Sequence, residues 1–399
     1  MPDITDITAY YLTSIPHTCP GRFCDLQDED EIINLEYGMD FRHPRFRREV
    51  FHRFYDFHLK YRSHPGGVYF LMRYLPRTLG WDFEQKLWFA FLNGNTQHPP
   101  TSLLIFKRFP DFKNLDITKL TDFFNKEWKR LEFDTDRRHQ KSDFLDSVKC
   151  YQKLTQGDQE SFFADICNTG DVYENFRKLW KIGREKFYSF GRLSTFSYLE
   201  YLRIMRVPID CDRLFLEDMS GSKSHRNGLA KVLGRDDLDW HDSNETKFEG
   251  KYTPEILGWL EKEAATLLNE AKIRNKDKHW ETDVSYFTLE STFCTYKSWH
   301  RPNRRYPNVY MDMLYNRIKK AELRWPEENF SIFWDARKFY LPLHLRLEDN
   351  LQDPGLCPEK QNHYRNTGQV IMMRDFDNIF DNDFERRYYG SLIKTLTIP

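Results

Sequence analysis

Hydrophobic positions recur three and four residues apart through most of this chain, the spacing of amphipathic helices. Val50, Phe51, Phe54, Phe57 and Leu59 form a first face inside an aromatic and basic segment, and Pro65-Gly66-Gly67 ends it. Phe83, Leu87, Trp88, Phe91 and Leu92 form a second, which the polar turn Gly94 to Gln97 and Pro99-Pro100 should terminate. Further faces follow at Leu120, Phe123, Phe124 and Leu131, then at Phe144, Leu145, Val148 and Leu154, and then at Val172, Phe176, Leu179 and Trp180. The run Phe190-Gly191-Arg192-Leu193-Ser194 leads into a helix carrying Phe196, Leu199 and Leu202, with Gly191 and Ser194 suited to a helix entrance. Thr253-Pro254 opens another, with Ile256, Leu257, Leu260, Ala264, Leu267 and Leu268 inward. No run of alternating strands interrupts this series, and a strand is predicted only at Gln369 to Met373, so the fold class expected is mainly α.

Two stretches break the apolar pattern. Residues 210–234, DCDRLFLEDMSGSKSHRNGLAKVLG, carry Ser220, Ser222, Lys223, Ser224, His225, Arg226 and Asn227 around Gly221 and Gly228. Hydroxyls, cations and glycine amides packed together suit a phosphate or pyrophosphate oxyanion. A second basic cluster runs from Lys297 through His300, Arg301, Arg304 and Arg305 to Pro307. The alternative for both is ordinary surface charge or contact with a DNA backbone.

Composition narrows the class. The chain has 399 residues, enough for two or three packed units, with 40% hydrophobic and 16% aromatic residues, as in a globular protein. The net charge is −1, so a polyanion must be met by local patches. Seven cysteines, at 19, 24, 150, 167, 211, 294 and 357, include no CxxC pair, and no apolar leader is visible; reduced thiols and a cytoplasmic setting are expected. No apolar run reaches the ~18 residues of a membrane span. No metal constellation stands out, although acidic loops can hold Mg²⁺ beside pyrophosphate without a recognisable motif. The GxxxxGK[ST] motif of a P-loop kinase is missing.

Between about residues 81 and 234 the order of pieces resembles the helix-hairpin-helix DNA glycosylases. FAFLNGNTQHPPTS at 89–102 matches their first polar turn, FYSFGRLSTFSYLEYL at 187–202 their hairpin and following helix, and VPIDCDRL at 207–214 the segment bearing their catalytic Asp. Leu193 stands where the bifunctional enzymes keep a Schiff-base lysine, which removes a lyase mechanism. FLNGNTQHP, GRLSTFSYLEYLR, SGSKSHRNGLAKVLG and CTYKSWHRPNRRYPNVYMDMLY together resemble the phage amino acid:DNA transferases, also called alpha-glutamyl/putrescinyl thymine pyrophosphorylases, over most of residues 41–320. The resemblance implies a glycosylase-like helical core with family-specific additions at both ends. The corresponding layout is a polar arm at 1–40, a core with the catalytic segment at 41–250, and a mostly helical region at 251–399 that completes the site.

The implied substrate is 5-(pyrophosphoryloxymethyl)-deoxyuridine in double-stranded phage DNA, within the infected host's cytoplasm. A free amino acid or polyamine replaces its pyrophosphate. Under that reading Ser222, Lys223, Ser224, Arg226, Lys297, Arg301, Arg304 and Arg305 clamp pyrophosphate. Asp210 and Asp212 orient or deprotonate the amine, with His225 or His300 as the alternative base. Asn93, Asn95, Thr96 and Gln97 meet the flipped base or the gap it leaves, and Arg192 and Ser194 with the Gly191 amide hold a DNA phosphate. Cys211 and Cys294 are candidates for a thiolate adding to the pyrimidine, against the plainer reading of structural thiols. Each Asp also reads as a loop cap, and the polar turn as a helix terminator. The competing functions are a glycosylase for a modified pyrimidine and a helical DNA-binding module without chemistry. The nucleophile and the oligomeric state have no linear signature.

Overall fold

The computed structural model describes residues 44–61, 68–218, 223–238, 252–278, 280, 282–299 and 313–340. Among them the regular structure is helical, with no strand. The α-helices, in chain order, are α1 Pro44–Tyr61, α2 Val68–Leu79, α3 Phe83–Thr96, α4 Pro99–Arg108, α5 Ile117–Lys126, α6 Phe144–Thr155 and α7 Gln159–Ile166. After them come α8 Val172–Glu185, α9 Arg192–Ile204, α10 Ser224–Val232, α11 Pro254–Arg274, α12 Tyr286–Trp299, α13 Met313–Arg324 and α14 Ser331–Tyr340. The arm at 1–40 and the strand expected at 369–373 lie outside the described residues, as do Ser222, His300, Arg301, Arg304 and Arg305.

Local chemistry explains where helices start. Asp82 accepts from the Gln85 amide at 2.8 Å while the Gln85 side chain accepts from the Asp82 amide, a closed capping box. Asp116, Asp158 and Asp171 cap α5, α7 and α8, and Thr253 with Pro254 at the first helical position starts α11. The polar run after Leu92 does not end α3 early. The helix continues through Thr96, and Gln97 stops it in the left-handed region at φ 53°. Those polar residues can stay helical because their side chains find partners inside the protein, as described below.

One large buried apolar cluster runs from Phe51 to Ala336, and Tyr315 with Trp334 forms a small second one. On one side, α3 packs on α4 and α9, and Phe91 stacks on Tyr151 of α6 with ring centroids 3.8 Å apart. On the other, α10 lies on α12 and both lean on α1. Phe287 of α12 joins the halves by packing on Phe176 of α8 and Phe196 of α9. The seam between these groups holds Arg192, His225, Arg226 and Glu290, all buried.

Candidate functional site

The seam is built around a close approach of two backbones. A Cβ on Gly228 would lie 2.1 Å from the Phe293 carbonyl oxygen, so only glycine lets α10 settle against α12. That contact turns the first turn of α10 inward and buries His225, Arg226 and Asn227. Lys223, at its N-cap, makes no side-chain capping bond, and the positive end of the helix dipole lies beside these residues.

Opposite lie Arg192 of α9 and one face of α12, where Glu290, Cys294 and Lys297 follow at helical spacing. Arg192 is buried; its Nη1 pairs with Glu290 Oε1 at 2.9 Å and its Nη2 donates to the Leu214 carbonyl at 2.8 Å. His225 Nδ1 is 3.7 Å from the same carboxylate oxygen. Arg226 Nη1 donates to the carbonyls of Leu216 (3.1 Å) and Asp218 (3.0 Å), and Lys297 Nζ donates to Ser224 Oγ.

The segment supplying those carbonyls is itself braced. Glu261 of α11 accepts from the Leu214 amide at 3.1 Å and the Leu216 amide at 2.9 Å. Phe215 between them sits at φ 54°, a conformation that costs a bulky residue ~1–2 kcal/mol and turns the two flanking amides toward one anion. Stacking of the Phe215 ring on Trp180, at 5.0 Å, helps to hold it. Residues 214–216 therefore present amides to a carboxylate on one side and carbonyls to Arg192 and Arg226 on the other.

The electrostatic consequence is an excess of cations. Burial, reinforced by Arg192, Arg226 and Lys297, holds His225 well below the usual histidine range, so it is neutral at neutral pH. Burial pushes Arg226 down to about 10. Arg192 Nε, Arg226 Nε and Nη2, and both ring nitrogens of His225 have no hydrogen-bond partner among the described residues. Buried donors left open cost ~1–3 kcal/mol each and more when charged, a cost that an oxyanion at this point would remove. Neutral His225 beside it can accept a proton.

Of the residues picked out by sequence, the fold thus brings Ser224, His225, Arg226, Lys297 and Arg192 together, with Lys223 at the helix start. Arg192 is buried, and its guanidinium is tied to Glu290 and the Leu214 carbonyl. Ser194 is likewise buried, 3.4 Å from Asp136 Oδ2. Asp210 and Asp212 sit in other contacts. Asp210 pairs with Arg203 at 3.0 Å and accepts from the Cys211 amide, while Asp212 Oδ2 pairs with Arg177 at 2.6 Å.

Asn93, Asn95, Thr96 and Gln97 are buried in an internal network. Asn95 donates to Ser147 Oγ at 2.7 Å and accepts from Arg137; Thr96 bonds Ser102 at 2.7 Å; Gln97 donates to the Gly94 carbonyl and accepts from Tyr201. Burial also raises the Cys211 and Cys294 thiols well above their usual range, so both stay protonated at neutral pH. Glu290 and Glu261 escaped the sequence reading. The available signal was a carboxylate inside each inward-facing helical run, Glu290 in FTLESTF and Glu261 in LGWLEKEA. No group of three metal-ligating side chains converges among the described residues, and no helix there is long and apolar enough to cross a membrane.

Comparison with known proteins adds to this geometry. The profile of the family described as amino acid:DNA transferase matches residues 69–305, which include Arg192, Ser224, His225, Arg226, Glu290 and Lys297. This chain belongs to that family. A relative named serinyltransferase, from Salmonella phage ViI, is 29% identical over 273 residues, covering 65% of this chain and 64% of that protein. The match therefore spans just under two thirds of the relative's length. No solved structure matches.

Proposed function

We propose that this amino acid:DNA transferase replaces the pyrophosphate of 5-(pyrophosphoryloxymethyl)-deoxyuridine in phage DNA with an amino acid or amine, in the host cytoplasm. The observation that carries the reading is the buried cation cluster with open donors at Arg192, His225 and Arg226. In the proposed step the bond from the 5-methylene carbon to oxygen breaks, and pyrophosphate leaves with the electron pair. A bond from that carbon to the nucleophile's nitrogen or oxygen forms. The proton lost by the nucleophile passes to His225. Arg226, Lys297 and Ser224 with the positive end of α10 stabilise the charge that builds on the leaving oxygens, an effect worth ~2.7–4 kcal/mol per well-placed donor. Arg192 holds Glu290 and Leu214 in place. Reaching the base requires flipping it from the duplex at a few kcal/mol.

The relative's name makes serine the first nucleophile to offer. The test incubates purified full-length protein with duplex DNA carrying the pyrophosphorylated base and each amino acid or polyamine, and reads digested nucleosides by mass spectrometry. A new nucleoside with release of pyrophosphate is the expected result. Unchanged DNA with every nucleophile would overturn the reading, and an abasic product would replace it with the glycosylase.

A further inference from the structure

A second charged surface lies at the far end of α9. Met72, Arg73, Pro76 and Arg77 of α2, Lys86 of α3, Ile204, Met205 and Arg206 around the end of α9, and Tyr340 line a cavity of about 410 Å³. Among the described residues four of those lining it are cations and none is a carboxylate, while Met72, Pro76, Ile204 and Met205 supply apolar surface. Helix geometry gives its place: Ile204 is twelve residues beyond Arg192 on α9, about 18 Å at ~1.5 Å per residue.

Backbone strain supplies an independent observation. Arg206 adopts φ 80°, and the bond from the Val207 amide to the Leu202 carbonyl at 3.0 Å completes a Schellman-type end to α9. That position favours glycine, because a Cβ is disfavoured in the left-handed region. An arginine held there at the mouth of a cationic cavity points to use of its side chain.

We infer that this cavity is a phosphate-bearing nucleotide site that grips the DNA strand away from the reacting base. The inference rests on the DNA-modifying function proposed above. Arg77, Lys86 and Arg206 neutralise backbone phosphates, and Met72, Pro76, Ile204 and Met205 with Tyr340 accommodate a sugar or base edge. Such contacts position the duplex without reading its sequence.

The test compares full-length protein with an Arg77→Ser/Arg206→Gly variant, binding duplexes with about ten or about two base pairs beside the target on each side, across ~50–200 mM salt. Removing two phosphate contacts is expected to flatten the slope of log affinity against log salt by about 2 for the long duplex, which is about a tenfold difference over that range. The short duplex should show no change. Arg206→Gly alone should leave the melting temperature unchanged or raised while weakening the long duplex, a combination that a merely structural role does not produce. Equal slopes for wild type and double variant on the long duplex would remove the groove. Competition by a free deoxynucleoside monophosphate as effective as by the long duplex would also overturn it, assigning the cavity to a small ligand. Failure of the wild-type protein to bind any DNA would sink the transferase reading itself.

Discussion

Two buried arginines set the structural and the functional interior apart. Arg137 and Arg226 are both fully buried, and burial pushes each guanidinium down to about 10. They differ in what surrounds them. Arg137 gives Nε to the Asn95 carbonyl at 2.8 Å, Nη1 to Gln140 and the Ser189 carbonyl, and Nη2 to Asn95 Oδ1, so each of its nitrogens has a partner. Arg226 uses Nη1 alone, on two carbonyls, and its other two nitrogens have no partner among the described residues. A saturated guanidinium ties elements together. An unsaturated one, surrounded by further cations, is prepared for an anion that arrives later.

The largest effects should come from exchanging these two residues for a similar volume without charge. Arg137→Met strands the acceptors of Asn95, Gln140 and Ser189 and should lower stability by ~3–5 kcal/mol in denaturant titration. Arg226→Met strands only two carbonyls and should cost no more than ~1–2 kcal/mol, yet lower turnover by ~10²–10³-fold. Interchanged outcomes, with activity lost at intact stability in Arg137→Met, would break the comparison.

Next in size is the proton acceptor. His225→Gln should lower turnover by about 100-fold or more. Because His225 is held below its usual range, the acid limb of the wild-type pH profile should fall below pH ~6.5 and disappear in the variant. An unchanged profile would take His225 out of the chemistry.

Stability should follow pH in the same sense. His52, His98 and His225 all have lowered pKa values, with burial the leading cause, so the folded state stays neutral where the unfolded chain takes up protons. Stability is then complete above the unfolded pKa of ~6.5 and is lost as pH falls below it, by up to ~1.4 kcal/mol per histidine per pH unit until each folded-state pKa is reached. Flat melting temperatures from pH 7 to 5 would contradict the burial of these rings.

Asp210→Asn and Asp212→Asn should have the smallest effects, less than ~10-fold on turnover, since both carboxylates are engaged by arginines outside the cluster. A collapse of activity in either would restore the aspartate that the glycosylase-like order of segments suggested.

The comparison also shows how much of the molecule was legible in its sequence. Helical periodicity and helix-start residues located about half of the described helices, because those signals are local. The cluster at 223–228 was visible as a break in the apolar pattern. Its meaning was not, since the pairing of Arg192 with Glu290 spans 98 positions and the inward turn of α10 depends on Gly228 meeting Phe293. The polar turn at 93–97 misled for the same reason. Polar side chains look like a surface until a distant arginine, 42 residues on, shows them to be interior.

The most direct test of the central claim is calorimetric titration of pyrophosphate into the wild-type protein and the Arg226→Met variant. The account predicts binding by the wild type, with a raised melting temperature, and affinity weakened by ~100-fold in the variant, as expected for losing a charged, desolvated anchor worth ~2.7 kcal/mol. Equal affinity in the two proteins, or no binding by the wild type, would contradict it.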